Sequence, residues 1–126
     1  MSIETSKTFQ AAMMAADVAS RGLSTRERLI VQITASRING CTYCIDMHTE
    51  EAEDEGIDIA PVDAREELIV RFTEMGTRLA DGADDAPIDE ALSVLGEEDT
   101  ANLIAAVAVI NAWNRVGRLA GGGSSC

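Results

Sequence analysis

The sequence lacks any hydrophobic run that could cross a bilayer, and its first residues lack the features of an export signal. The longest apolar run, Leu103–Ile110, is far shorter than the roughly 20 residues that a membrane-spanning helix requires. Residues 1–8 are polar and have neither the basic flank nor the apolar core of a secretory signal peptide. We therefore predict a soluble, cytoplasmic protein.

Basic residues are also scarce. Nine arginines and a single lysine stand against 22 acidic residues, so the formal net charge is −12. A surface with this charge repels nucleic acids and anionic membranes, because both carry negative charge themselves. We therefore expect neither nucleic acid nor membrane among the partners.

Cysteine is the third scarce residue type, with three copies in 126 residues. Without an export signal these cysteines argue against a disulfide-stapled scaffold, because the reducing cytosol keeps structural thiols reduced. In that compartment a C-x-x-C pair is more often catalytic or metal-binding. The chain is long enough for one domain with its own core but short for an enzyme that works alone, so we expect an oligomer.

The chain contains only two prolines, and β-branched residues do not alternate with polar ones over any long stretch, which predicts an all-α fold. Apolar spacing, capping boxes and glycine stops indicate six helices. Their approximate limits are 4–20, 24–39, 41–56, 63–82, 87–96 and 97–119. We predict a single helical domain over residues 1–120 and a flexible Gly/Ser tail over residues 121–126.

The last predicted helix is apolar nearly all round, so we expect it to be central in the monomer and to contact a second subunit. Trp113 on this helix is more typical of a core or interface anchor than of a ligand contact. Asn111 and Asn114 need buried partners on such a helix, and a subunit contact is one source of them.

Two cysteines and the only histidine fall between residues 41 and 48. On a helix, Cys41, Cys44 and His48 lie within an arc of roughly 60°. A C-x-x-C dithiol can cycle between thiol and disulfide, and a histidine one turn beyond the second cysteine can take its proton. Cys41 follows Gly40 at the predicted helix start, where unpaired amides and the helix dipole stabilise a thiolate. The motif therefore predicts redox chemistry.

Two other interpretations of the motif stay open. Cysteine and histidine are the usual ligands of zinc, but only three candidates lie together and structural zinc normally has four. Asp46 points roughly 160° away from His48, and Cys126 belongs to the tail, which makes it a poor preorganised ligand. Alternatively, the cysteines pack as small apolar residues and His48 caps a helix. Haem attachment is excluded, because Ile45 rather than histidine follows the second cysteine.

The segment Arg37–His48 closely resembles the core motif of the carboxymuconolactone decarboxylase-like superfamily, in its alkylhydroperoxidase D-like branch. Residues 110–115 resemble the C-terminal helix of that branch, and Arg65-Glu66 followed by Thr73-Glu74 resembles its middle helix. The likeness spans about residues 23–119. It implies a compact subunit of about six helices that assembles into a homo-oligomer, either a trimer or a hexamer, with the dithiol near subunit contacts.

The resemblance also implies a reaction. In this branch a hydroperoxide oxidises the cysteine that matches Cys44 to a sulfenic acid, the one that matches Cys41 resolves it, and the histidine that matches His48 belongs to a proton relay. No metal or organic cofactor is implied, but an external dithiol or disulfide reductant must restore the dithiol. True carboxymuconolactone decarboxylases lack the dithiol, which disfavours that reaction. A zinc-binding or structural assembly protein and a lyase of the same fold remain the alternatives.

The relay acid is where the chain departs from the family pattern. That glutamate commonly lies about twelve residues before the first cysteine, a position that Leu29 occupies here. Glu27 lies roughly 200° away around the helix and fits a capping box instead. We therefore expect Glu74 to be the relay acid, because it matches a family position and lies among Phe72 and Met75.

Overall fold

The structure is a computed structural model that describes residues 3–82 and 84–121. Within these two ranges it contains five α-helices, one 3-10 helix and no strand. The elements are α1 (Lys7–Ala19), α2 (Thr25–Asn39), α3 (Thr42–Asp54), α4 (Ala64–Thr77), the 3-10 helix Leu79–Asp81 and α5 (Ala86–Ala120). The all-α prediction is confirmed. Most of the predicted tail, residues 122–126, lies outside the described residues.

Helix α5 is interrupted at Gly96, where the backbone adopts φ 84° and ψ 172°. A residue with a side chain is strained at that φ, so glycine allows the chain to change direction there. The break separates the two helices that the sequence predicted over residues 87–96 and 97–119. Two other predicted limits differ from the structure: α1 begins at Lys7 because Ser6 caps it, and α4 ends at Thr77 before the 3-10 helix.

Helix α2 is the centre of the fold and packs against α3, α4 and α5. Its start is fixed by the predicted capping box, in which the Glu27 amide donates to the Ser24 hydroxyl at 3.1 Å and the Glu27 carboxylate accepts from the Ser24 amide at 3.4 Å. Its end is fixed by Gly40, which adopts the left-handed conformation. Both ends of α2 therefore follow from local sequence.

Two apolar clusters hold the helices together. The larger one joins α2, α4 and α5 through Ile30, Val31, Leu68, Ile69, Phe72, Leu103, Val107 and Ile110. The smaller one joins α2 to α3 through Leu29, Ile33 and Ala52. Leu29, at the position where the family pattern has its acid, is completely buried in this smaller cluster. An apolar side chain there fastens α3 to the core.

Helix α5 buries one face, contacts α1, α2, α3 and α4, and leaves Ile104 and Leu119 exposed. These contacts agree with the central position predicted for it, and its contact with a second subunit stays a prediction. Its buried asparagines find their partners inside the chain. Asn39 on α2 donates to the side-chain oxygens of Asn111 and Asn114, at 2.9 Å in each case. Both asparagines therefore have partners within the chain and need no second subunit for these hydrogen bonds. The reason is that α2 and α5 cross where all three amides meet.

Helix α1 is the only one of the five α-helices in the described ranges that has no buried residue. Phe9, Met14 and Val18 are 41%, 57% and 68% exposed. Trp113 on α5 holds this helix by donating its indole N–H to Asp17 at 3.2 Å.

In the described ranges no helix is long and apolar enough to cross a membrane.

Candidate dithiol site

The C-x-x-C motif lies where α2 ends and α3 begins. Gly40 reverses the chain, and the Cys41 amide then donates to the Ser36 carbonyl at 2.9 Å. Cys41 is the N-cap of α3, and its own carbonyl accepts the first helical hydrogen bond from Ile45 at 2.9 Å. Cys44 follows in the first turn. Both cysteines therefore lie at a helix N-terminus, where the unpaired amides and the helix dipole favour a thiolate.

Cys41 and Cys44 are joined by a disulfide, and their Cα atoms are 5.3 Å apart. Cys41 is completely buried, and Cys44 is 4% exposed. The structure thus holds the pair in its oxidised form, with Cys44 the less enclosed of the two. This arrangement agrees with a dithiol that can be oxidised within one subunit.

His48 lies one helical turn beyond Cys44 and is 7% exposed. Its Nδ1 atom is buried, and among the described residues it has no hydrogen-bond partner. The Oε2 atom of Glu51 faces it at 3.6 Å, which is an ion-pair distance but too long for a hydrogen bond. Burial lowers the pKa of His48 below 6.5, while Glu51 acts in the opposite direction. The imidazole is therefore neutral at neutral pH and able to accept a proton.

Glu51 is held by an arginine of the central helix. Arg28 donates from Nη2 to Oε1 of Glu51 at 2.6 Å and from Nη1 to the Gln32 side chain at 3.0 Å. Arg28 and Gln32 are each 7% exposed. The hydrogen bond from Arg28 holds the pKa of Glu51 below 4.5, so this residue remains a carboxylate. Arg28 is thus hydrogen-bonded to Glu51, and Glu51 in turn faces His48 at an ion-pair distance.

Asp17 on α1 and a cavity beside Tyr43 adjoin the site. Asp17 on α1 favours the protonated form of His48 through its charge, and it also accepts hydrogen bonds from Trp113 and Arg21. Tyr43, between the cysteines, is 63% exposed and lines a cavity of about 560 Å³. The other apolar side chains that line this cavity are Ile3, Phe9, Met13, Trp113, Val116 and Ala120. The outer side of the dithiol helix therefore borders an apolar surface.

Cys44 and His48 lie on α3 with Cys41 as its N-cap, whereas Glu74 lies on α4. Glu74 is exposed on α4 and lines a separate cavity of about 460 Å³, to which Arg37 and Asp58 also contribute. Neither the cysteines nor His48 line that cavity.

Sequence reasoning missed Glu51, although its position three residues after His48 on one helix placed it within reach. It also missed Arg28, and for that residue the sequence held no comparable indication. Its contact with Glu51 depends on how α2 packs against α3.

In the described part of the chain, no three His, Cys, Asp or Glu side chains are grouped so that they could hold a metal ion. The two cysteines are bonded to each other, and His48 faces Glu51. Cys126, the further ligand considered for zinc, lies outside the described residues. The zinc-site alternative therefore has no ligand set in residues 3–82 and 84–121.

Comparisons with known proteins identify the family and a similar fold. Residues 5–69 match the model of the carboxymuconolactone decarboxylase family, which is slightly more than half of the chain. The fold is similar to a crystal structure of a protein of unknown function from Agrobacterium tumefaciens, described as a candidate antioxidant defence protein AhpD. The TM-score is 0.79 at 29% sequence identity, over 95% of this chain and 90% of the other. A comparison with curated proteins finds no match.

Proposed function

This chain belongs to the carboxymuconolactone decarboxylase family, and from that premise we propose that it is a thiol-dependent peroxidase of the alkylhydroperoxidase D type. The observation that carries the proposal is the Cys41–Cys44 disulfide at the start of α3, with neutral His48 one turn beyond it. The similarity to the Agrobacterium protein described in terms of antioxidant defence supports it further.

The proposed cycle begins with the reduced dithiol. His48 takes the proton of the Cys44 thiol, and the thiolate attacks the outer oxygen of a hydroperoxide, so that the O–O bond breaks. Cys44 becomes a sulfenic acid, and the leaving alkoxide receives the proton from His48 and departs as an alcohol. Cys41 then attacks the Cys44 sulfur, a disulfide forms and water leaves.

The division of roles rests on two features of the site. Cys44 is the less enclosed cysteine, and it stands four residues before His48, the spacing that brings two side chains onto one helix face. Cys41 is completely buried at the N-cap, where its thiolate is stabilised but shielded from a substrate. We therefore assign attack to Cys44 and resolution to Cys41.

The cycle needs an external reductant, which we propose is a dithiol that reduces the disulfide by thiol–disulfide exchange. A cytoplasmic location fits this requirement, because thiol reductants are maintained there. We also propose a homo-oligomer, a trimer or hexamer. Exposed Phe9 and Met14 on α1 and Tyr43 and Met47 on α3 support it, since neighbouring exposed apolar side chains mark contact surfaces.

The test is to add a stoichiometric amount of an organic hydroperoxide to the reduced protein and follow peroxide and thiol loss. The wild type should lose two thiols per peroxide. Cys44→Ser should lose the reaction, and His48→Ala should be slower by about 100-fold or more, the usual contribution of a general base. If Cys44→Ser consumes peroxide as fast as the wild type, the role assignment is wrong.

A further inference from the structure

We propose that Glu51 and Arg28 are the positioning pair for His48. Arg28 holds the Glu51 carboxylate, and the carboxylate orients the imidazole through Nδ1 so that Nε2 is the atom that takes the Cys44 proton. This inference rests on the proposed function and deepens it. The family pattern has its relay acid at the position of Leu29. We assign that role instead to Glu51, on the helix that carries the dithiol.

The first support is the position of Nδ1. This atom is buried and has no hydrogen-bond partner among the described residues, whereas buried polar atoms are nearly always paired. Glu51 Oε2 faces it at 3.6 Å from the same helix, three residues further along the chain. Catalytic hydrogen bonds are often long in a resting state and shorten once substrate is bound. A carboxylate bonded to one ring nitrogen fixes which nitrogen is free to accept a proton.

The second support is the way in which Glu51 is held. Its Oε1 atom accepts from Arg28 Nη2 at 2.6 Å, and its Oε2 atom lies 3.5 Å from Arg28 Nη1 and 3.6 Å from the imidazole Nδ1. Arg28 is itself fixed, because it is buried and its other terminal nitrogen donates to Gln32 at 3.0 Å. A buried guanidinium is costly unless it is paired, so the pair is maintained as a unit. The Glu51 carboxylate thus faces His48 while it is paired with the buried Arg28 guanidinium.

The third support is the balance of charge around the imidazole. Glu51 on α3 and Asp17 on α1 favour its protonated form, whereas burial and Arg28 on α2 favour the neutral form. Burial dominates, so the resting imidazole is neutral and available as a base. Glu51 then stabilises the imidazolium that forms when His48 takes the thiol proton.

The chain offers a direct readout, because His48 is its only histidine and gives one set of imidazole signals in NMR. We would titrate that ring and measure the rate of peroxide-driven thiol loss in wild type, Glu51→Gln, Glu51→Asp and Glu50→Gln. Glu50 is the matched control, since it is an exposed glutamate on the same helix.

Glu51→Gln should lower the pKa of His48, change the tautomer of its neutral ring and slow thiol oxidation by at least about tenfold, within the range of general-base effects. Its rate should also start to rise at a lower pH than the wild-type rate, because the ring loses its proton earlier. Glu51→Asp should lie between Glu51→Gln and wild type, and Glu50→Gln should match wild type.

Glu51→Gln leaves Arg28 without its anion and could unfold the protein for that reason alone. The double variant Arg28→Gln with Glu51→Gln removes this unpaired charge, and we expect it to fold, to lose the tautomer preference and to react slowly. If either variant folds and keeps the wild-type rate and tautomer, the positioning role is overturned.

The outcome is separable from that of the proposed function. If Cys44→Ser abolishes peroxide consumption while Glu51→Gln changes neither rate nor titration, the peroxidase stands and the positioning pair is refuted. If the wild type consumes no peroxide, the proposed function fails. The titration in Glu51→Gln then still decides whether Glu51 acts on His48.

Discussion

Replacement of Leu29 tests why this chain has an apolar residue where the family pattern has its acid. Leu29 is completely buried in the cluster that fastens α3 to α2. Removing a fully buried leucine side chain loses its transfer free energy and leaves a cavity, at a cost of about 2–5 kcal/mol. We therefore expect Leu29→Ala to lower the free energy of unfolding by that amount. The melting temperature should fall by roughly 4 °C per kcal/mol for a chain of this size.

Leu29→Glu should cost more than Leu29→Ala, because an unpaired carboxylate in this cluster adds several kcal/mol of desolvation. Such a loss is comparable with the entire stability of a typical domain, about 5–15 kcal/mol. We expect the variant to be largely unfolded and to have no faster peroxidase reaction. Restoring an acid at this position should therefore not restore a relay.

The assay is urea unfolding followed by far-UV circular dichroism, at one protein concentration because association adds stability. Leu79→Ala is the matched control, since Leu79 is 62% exposed and its removal should change stability by less than about 0.5 kcal/mol. A Leu29→Ala variant as stable as the control would refute the packing argument. A folded Leu29→Glu variant that reduces peroxide faster than wild type would contradict the explanation that packing between α2 and α3 requires an apolar residue at this position.

Three further predictions concern other parts of the structure. Burial lowers the pKa of His48 below its unfolded value of 6.5. The unfolded state therefore binds more protons than the folded state just below pH 6.5, and the free energy of unfolding should fall as pH decreases through this window. In His48→Gln the urea midpoint should show a weaker decline there, and an identical pH profile would contradict the assignment. Trp113→Phe removes the hydrogen bond to Asp17 and should lower the free energy of unfolding by about 1 kcal/mol. Amide hydrogen exchange should become faster in α1 and stay unchanged in α2. If α1 is protected from exchange as well as in the wild type, Trp113 does not anchor this helix. Gly96→Ala should destabilise the protein by about 1–3 kcal/mol in thermal unfolding, because its φ of 84° and ψ of 172° are strained for a residue with a side chain, although the added carbon would meet no more distant part of the chain. An unchanged melting temperature would refute the strain.

The parts of the fold that were predictable are the ones set by short-range interactions. The Ser24 capping box, the stop at Gly40 and the break at Gly96 each depend on a few neighbouring residues, and the structure has all three. Helical periodicity likewise predicts one helix for the dithiol motif, and Cys44 and His48 lie on α3 with Cys41 as its N-cap. The resemblance to the family extended these local patterns to a complete fold.

The parts that were not predictable depend on how helices cross. Arg28 and Glu51 are 23 residues apart and meet only because α3 folds back on α2. Asn39 lies 72 and 75 residues from Asn111 and Asn114, and nothing in the sequence alone identifies it as their partner. Sequence likeness and apolar neighbours point to Glu74 as the relay acid, but only the packing of α4 decides which cavity its side chain lines. Such contacts are tertiary, and no periodicity in the sequence specifies them.

The most direct test of the central claim is to locate the oxidised atom in Cys41→Ser after one equivalent of an organic hydroperoxide. Without its resolving thiol, this variant should accumulate a sulfenic acid that a selective carbon nucleophile traps. Peptide mass spectrometry should find the label on Cys44, whereas the wild type should give the Cys41–Cys44 disulfide and no label. A label found only on Cys126, or an unlabelled Cys44 after peroxide has been consumed, would contradict a peroxidase in which Cys44 attacks.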